Sequence, residues 1–126
     1  MTLYDIIQLE DNQDTREIMN MYAEEKGLSY LGVESLKELE DMLHSSSSAK
    51  VYVVDSYFPF LKGGEKEPLA IEAINRIRHY HPDARIVLYA SPGLKEIARE
   101  NEVDYENKAE VTCGEIVRSI KFLLEK

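Results

Sequence analysis

Short apolar runs and helix-patterned stretches take turns five times along this 126-residue sequence. So regular an alternation admits few folds, because a strand that runs parallel to its predecessor needs a crossover helix to return. Residues 4–9 are short, partly β-branched and followed by polar residues, which predicts a first strand. Ile18, Met21 and Tyr22 then recur at helical spacing, with Asp14 and Glu17 as the expected capping pair and Gly27 as the stop. Residues 29–33 predict a second strand. Ser35 with Glu38 forms a capping box ahead of Leu36, Leu39, Met42 and Leu43 on one helical face. The run Ser45-Ser46-Ser47-Ser48 predicts a loop. Val51-Tyr52-Val53-Val54 is apolar on both parities, as a central strand buried on two faces must be. A polar loop with two glycines fills residues 62–67, and Pro68 is the expected first residue of a helix carrying Ala70, Ile74 and Ile77. A strand over 86–90, a short helix over 92–100, a strand opening at Val103 and a last helix capped by Thr112 and Glu115 complete the pattern.

The expected architecture is one α/β domain over residues 1–126. It is a three-layer, flavodoxin-like, five-stranded parallel sheet in the order 2-1-3-4-5, with helices on both faces. A closed eight-unit barrel needs about twice this length. Cys113 is the single cysteine, which excludes a disulfide framework and a multi-cysteine zinc site. Its place in the first turn of the last helix predicts a packing role. No run approaches the roughly 18 apolar residues of a membrane-spanning helix, and the opening residues lack the basic and apolar regions of a secretory signal. Acids outnumber bases 24 to 15, a formal charge of −9. That balance repels phosphate backbones and anionic membranes, so the expectation is a cytoplasmic protein without nucleic-acid or membrane partners. There is no GxGxxG and no Walker loop, which argues against nucleotide and flavin binding.

In a parallel sheet, ligands sit at the carboxyl ends of the strands. Glu10 and Asp11 follow the first strand, Asp55 the third, Ala90 and Ser91 the fourth, and Lys108 the fifth. Strands 1 and 3 are neighbours in the expected order, about 4.8 Å apart. Glu10, Asp11 and Asp55 can therefore share one cation, which relieves their mutual repulsion. Oxygen-only ligands select a hard ion, and Mg²⁺ suits a site that also handles phosphate. Lys108 adds a compact positive charge opposite. Carboxylate, Mg²⁺ and lysine together suit phosphoryl transfer onto the carboxylate itself. One acid after a strand is an ordinary loop residue; nothing at the amino ends of the strands matches this set.

On these residues the chain resembles the receiver domain of two-component response regulators. The resemblance covers essentially the whole length. It rests on Leu9-Glu10-Asp11, on Val53-Val54-Asp55-Ser56-Tyr57-Phe58-Pro59 with Gly63 eight positions after Asp55, and on Asp104-Tyr105-Glu106-Asn107-Lys108. It implies that Asp55 is a phosphoacceptor served by a histidine kinase or phosphotransfer protein. It implies Mg²⁺ held directly by Asp11, through water by Glu10, and by Asp55 and the backbone carbonyl of Tyr57. Lys108 corresponds to the lysine that contacts the phosphoryl group, and Tyr105 to the aromatic switch. Output would then pass through a downstream protein, since the chain is regulatory and not an enzyme beyond its own phosphorylation and slow dephosphorylation.

Two positions depart from the family pattern. A Thr or Ser usually ends the fourth strand, and here Ala90 stands there with Ser91 one later. Side chains alternate along a strand, so either the hydroxyl is missing or a bulge brings Ser91 in. Proline usually follows the lysine, often through a cis bond; Ala109 stands here, and a trans bond is expected because cis would cost about 2.5–4 kcal/mol. The segment before Val103 is short, which predicts an abbreviated fourth helix. His44, His79 and His81 read as surface residues at helix ends, and Tyr52 and Tyr89 as strand core. Two rival functions remain open at this point. One is a pseudo-receiver that signals without phosphate. The other is a small Mg²⁺-dependent phosphatase, which would need a second acid where Tyr57 stands.

Overall fold

A computed structural model describes residues 2–125; Met1 and Lys126 lie outside it. Five strands, β1 (Leu3–Leu9), β2 (Tyr30–Val33), β3 (Ser48–Val54), β6 (Arg85–Ala90) and β7 (Asp104–Asn107), form one sheet in the order β2-β1-β3-β6-β7. Every pairing is parallel. This is the expected 2-1-3-4-5 order, with an added hairpin of β4 (Phe58–Pro59) and β5 (Lys66–Glu67) between the third and fourth sheet strands.

The strands alternate their side chains between two cores. Ile7, Leu9, Tyr52, Val54, Leu88 and Ala90 pack with α2 (Leu36–His44), α3 (Ala70–Tyr80) and Ala98 of α4 (Lys95–Glu100). Ile6, Val51, Val53, Val87 and Tyr89 pack with α1 (Gln13–Glu25) and α5 (Cys113–Leu124) on the opposite face. Val51-Tyr52-Val53-Val54 thus feeds both cores, which is why both parities are apolar. The fourth helix is abbreviated as expected: a 3-10 turn over Pro92–Leu94 leads into six helical residues.

Local details correct the sequence reading at several points. Asn12, not Asp14, caps α1: its side chain accepts from Thr15 N at 3.0 Å, which starts the helix earlier. The buried stripe of α1 is Met19 and Ala23, while Ile18 and Met21 are 45% and 54% exposed. Pro68 lies two residues ahead of α3. Proline holds the preceding residue extended, and Glu67 is spent in β5, with Leu69 N turning back onto Glu67 O at 2.8 Å. Ser48 already belongs to β3, leaving Ser46, at φ +70°, to make the turn. Ser35 and Thr112 cap α2 and α5 as expected, the latter as a full capping box. Gly32 is small for a reason: a Cβ there would meet the Arg16 side chain at 2.8 Å, and Arg16 crosses this spot to reach the site described next.

Candidate functional site

Three of the charged candidates, Glu10, Asp55 and Lys108, sit one residue beyond a strand, and Asp11 sits two beyond β1. Glu10 N donates to Val33 O at 3.0 Å, Asp55 N to Leu9 O at 3.1 Å, and Lys108 N to Ala90 O at 2.9 Å. The sheet therefore fixes where these backbones end: β1 and β3 are neighbours, which brings Glu10 and Asp55 together, and the long Lys108 side chain reaches across the end of β6 to meet them. Carboxylate oxygens of Glu10, Asp11 and Asp55 all lie within 4.8 Å of one another. Lys108 Nζ stands 2.5 Å from Glu10 Oε1 and 3.2 Å from Asp55 Oδ1.

Burial sets the chemistry of this group. Glu10 is 2% exposed, its Oε2 accepting from Asn12 N and its carbonyl from Arg16 Nη1 at 2.8 Å. Burial, reinforced by the charge on Asp55, pushes the Glu10 carboxyl up to about 7, against the opposing pull of Lys108. Burial alone would lower the Lys108 ammonium, but the Glu10 and Asp55 carboxylates outweigh it and hold its pKa above the ordinary lysine value. Asp55 Oδ1 also accepts from Ser56 N at 2.7 Å, which aims the carboxylate toward Lys108. Among the described residues no donor reaches the buried Asp11 Oδ1. A buried acceptor without a partner is costly, and this one lies in a cluster of hard oxygens. The donor set therefore fits a hard divalent cation such as Mg²⁺.

The raised Glu10 pKa has a direct consequence for stability. Its ordinary value is 4.5 and its folded value about 7. Between these the folded protein holds a proton that the unfolded chain releases, so unfolding free energy falls as pH rises through this window. The loss is on the order of 2–3 kcal/mol. Urea titrations at pH 5 to 8 with a chelator present should show it, and Glu10→Gln should be flat over the same range. A wild-type curve that rises with pH would contradict the assignment.

The remaining expected site residues divide. The β6–β7 ladder runs without a bulge from Val87–Asp104 to Ala90–Asn107. Ala90 is buried in the core, and Ser91 lies past the strand end, exposed. Of the two alternatives, the strand end therefore carries no hydroxyl. Tyr105 is nevertheless tied to this loop, its hydroxyl donating to Ser91 O at 2.8 Å. The peptide before Ala109 is trans, as expected. The Tyr57 side chain is exposed and precedes β4 directly.

Three contributors were not visible in the sequence. The Tyr89 ring lies 5.6 Å from Lys108 Nζ, while its hydroxyl donates to Val111 O, so one strand residue both packs the core and supports the lysine. Arg16 joins the Glu10 carbonyl to Glu34, 3.2 Å away. Lys66 on β5 stands 3.3 Å from Asp11 Oδ2. The lysines at 62 and 66 in a polar loop were the available signal, but their partners depend on a hairpin that local sequence does not announce. Cys113 is half-buried and burial raises its thiol pKa, consistent with packing.

Comparison of the whole fold with solved structures settles its type. A response regulator receiver domain protein from Clostridium thermocellum superposes with a TM-score of 0.74 at 18% identity, covering 99% of this chain and 95% of that one. The receiver domain of Francisella response regulator 1452 gives 0.77 at 16% identity, covering 97% of each chain. The chain has the receiver fold. The BeF3-activated receiver domain of nitrogen regulatory protein C shares it, with a TM-score of 0.74 at 17% identity over 99% of this chain and 97% of that one. No protein-family model and no curated protein matches the sequence. Within this receiver fold the acidic cluster and Lys108 occupy the carboxyl edge of the sheet, where the strand-end reading placed them. No helix among the described residues is long and apolar enough to cross a membrane.

Proposed function

We propose that this chain is a phosphoacceptor receiver of a two-component or phosphorelay system, acting in the cytoplasm. One observation carries the reading: three carboxylates meet within 4.8 Å, one of them with an unpartnered buried oxygen, under a lysine that touches the other two. Asp55 is the nucleophile. Its carboxylate oxygen attacks the phosphorus of a phosphohistidine on a histidine kinase or phosphotransfer protein. The P–N bond breaks, and its electron pair leaves with the imidazole. Glu10, Asp11, Asp55 and the Tyr57 carbonyl would hold Mg²⁺, which neutralises charge on the transferring phosphoryl oxygens. Lys108 needs only to exchange one acidic partner for another to contact the new phosphoryl group. The Ser91–Tyr105 hydrogen bond offers a route from that event to a protein-binding face, with carbonyl and phenol doing what a strand-end hydroxyl would otherwise begin.

A second reading is a pseudo-receiver that signals without phosphate, and buried Ala90 at the strand end favours it. One experiment separates the two. The wild-type protein is incubated with Mg²⁺ and a small phosphodonor such as phosphoramidate, and intact mass is measured. The proposal expects one base-labile phosphoryl group. An unmodified chain that also binds no Mg²⁺ would support the pseudo-receiver, and multiple turnover of an unrelated phosphate ester would indicate a hydrolase.

A further inference from the structure

Each carboxylate of the pocket already has a cation beside it. Lys108 serves Glu10 and Asp55, and Lys66 serves Asp11 at 3.3 Å. The two lysines are held differently. Lys108 is 30% exposed, contacts two acids and lies against the Tyr89 ring. Lys66 is 60% exposed and rides on a strand of two residues. The hairpin that carries it is anchored elsewhere: Lys62 pairs with Glu34 at 3.2 Å, and Lys37 N donates to Phe60 O at 2.9 Å. Gly63, at φ +82°, makes its tip. The hairpin can thus stay in place while the Lys66 side chain leaves Asp11.

We infer that Lys66 is the resident counter-ion of the acidic pocket, which a divalent cation must displace from Asp11. This rests on the cation site proposed above and adds a residue that sets its affinity. An ammonium and a divalent ion on one carboxylate repel each other, so filling the pocket frees the Lys66 side chain from Asp11. The ammonium is compact, strongly hydrated and carried on a flexible stem, which suits a partner that must let go.

Calorimetric titration of Mg²⁺ into the whole chain tests this. Lys66→Gln should bind Mg²⁺ about two- to fivefold more tightly than wild type, the range that exposed ion pairs are worth. Lys66→Arg should stay near wild type. Lys62→Gln, which removes a charge paired with Glu34, should shift affinity less than Lys66→Gln. Raising the ionic strength should narrow the difference, and Mg²⁺ should shift the backbone amide resonances of residues 66 and 67 in the wild type. Equal or weaker binding by Lys66→Gln, or an equal gain in Lys62→Gln, overturns the assignment while leaving the cation site intact. If neither wild type nor Lys66→Gln binds Mg²⁺, the cation site fails and the role of Lys66 fails with it.

Discussion

Asp55→Asn takes up no phosphoryl group under conditions in which the wild-type chain gains one. The substitution is nearly isosteric, and the amide oxygen can keep the 2.7 Å bond from Ser56 N. What disappears is the nucleophile, because the amide nitrogen's lone pair is delocalised and its oxygen is a poor attacking group. The expected effect is complete loss, read by intact mass. The same substitution carries a second readout that does not depend on phosphate. The Asp55 charge is the largest influence after burial on the raised Glu10 pKa. Removing it lowers the Glu10 titration midpoint below about 7, so the pH window in which stability falls moves to lower pH. A phosphoryl group retained on Asp55→Asn would move the acceptor to another residue. An unchanged Glu10 midpoint, followed by carboxyl NMR, would show that the two acids do not sense each other.

Much of this site is legible in the sequence because parallel strands have a simple rule. Apolar runs locate the strands, and the residue just past each run lands on the carboxyl edge. Glu10, Asp55 and Lys108 follow directly, since each continues a backbone ladder by one residue. The Thr112–Glu115 cap is equally local. What fails is whatever depends on the chain returning from a distance. The β4–β5 hairpin consists of two-residue strands, too short for any periodicity, so a polar loop was the natural reading of 62–67. With the hairpin unseen, Lys66 had no partner. Tyr89 reads as core because its ring is core; only the crossing of Lys108 above it adds the second role. On α1 the sequence marked Ile18 and Met21 as apolar at helical spacing, but helix phase is set by which stripe meets the sheet. Met19 and Ala23 meet it.

Lys108→Met should be destabilised by about 2 kcal/mol at pH 8 in chelator, and Mg²⁺ should restore more stability to it than to the wild type. Removing one member of a fully buried ion pair costs about 3–5 kcal/mol; Lys108 is 30% exposed, and solvent screens part of that. Methionine keeps an unbranched apolar side chain of similar length, so the change removes the ammonium, with its contact to the Tyr89 ring, and little bulk. Without the ammonium, Glu10 and Asp55 face each other uncompensated in a site where Glu10 is 2% exposed. The Glu10 pKa then rises further, because Lys108 was the group lowering it. The deficit must therefore shrink as pH falls and Glu10 takes up a proton, leaving a smaller loss at pH 5 than at pH 8. A bound divalent ion supplies the same missing charge, and stabilisation grows with its concentration relative to its dissociation constant. Phosphoryl uptake separates the two roles of the lysine. Mg²⁺ can replace Lys108 as a counter-charge but not as a hydrogen-bond donor to the new phosphoryl group, so uptake slows about tenfold or more even when stability has been restored. Urea unfolding at both pH values, with and without Mg²⁺, checks the first role. A deficit that is the same at pH 5 and pH 8 would mean that Lys108 acts through packing and not through charge on Glu10.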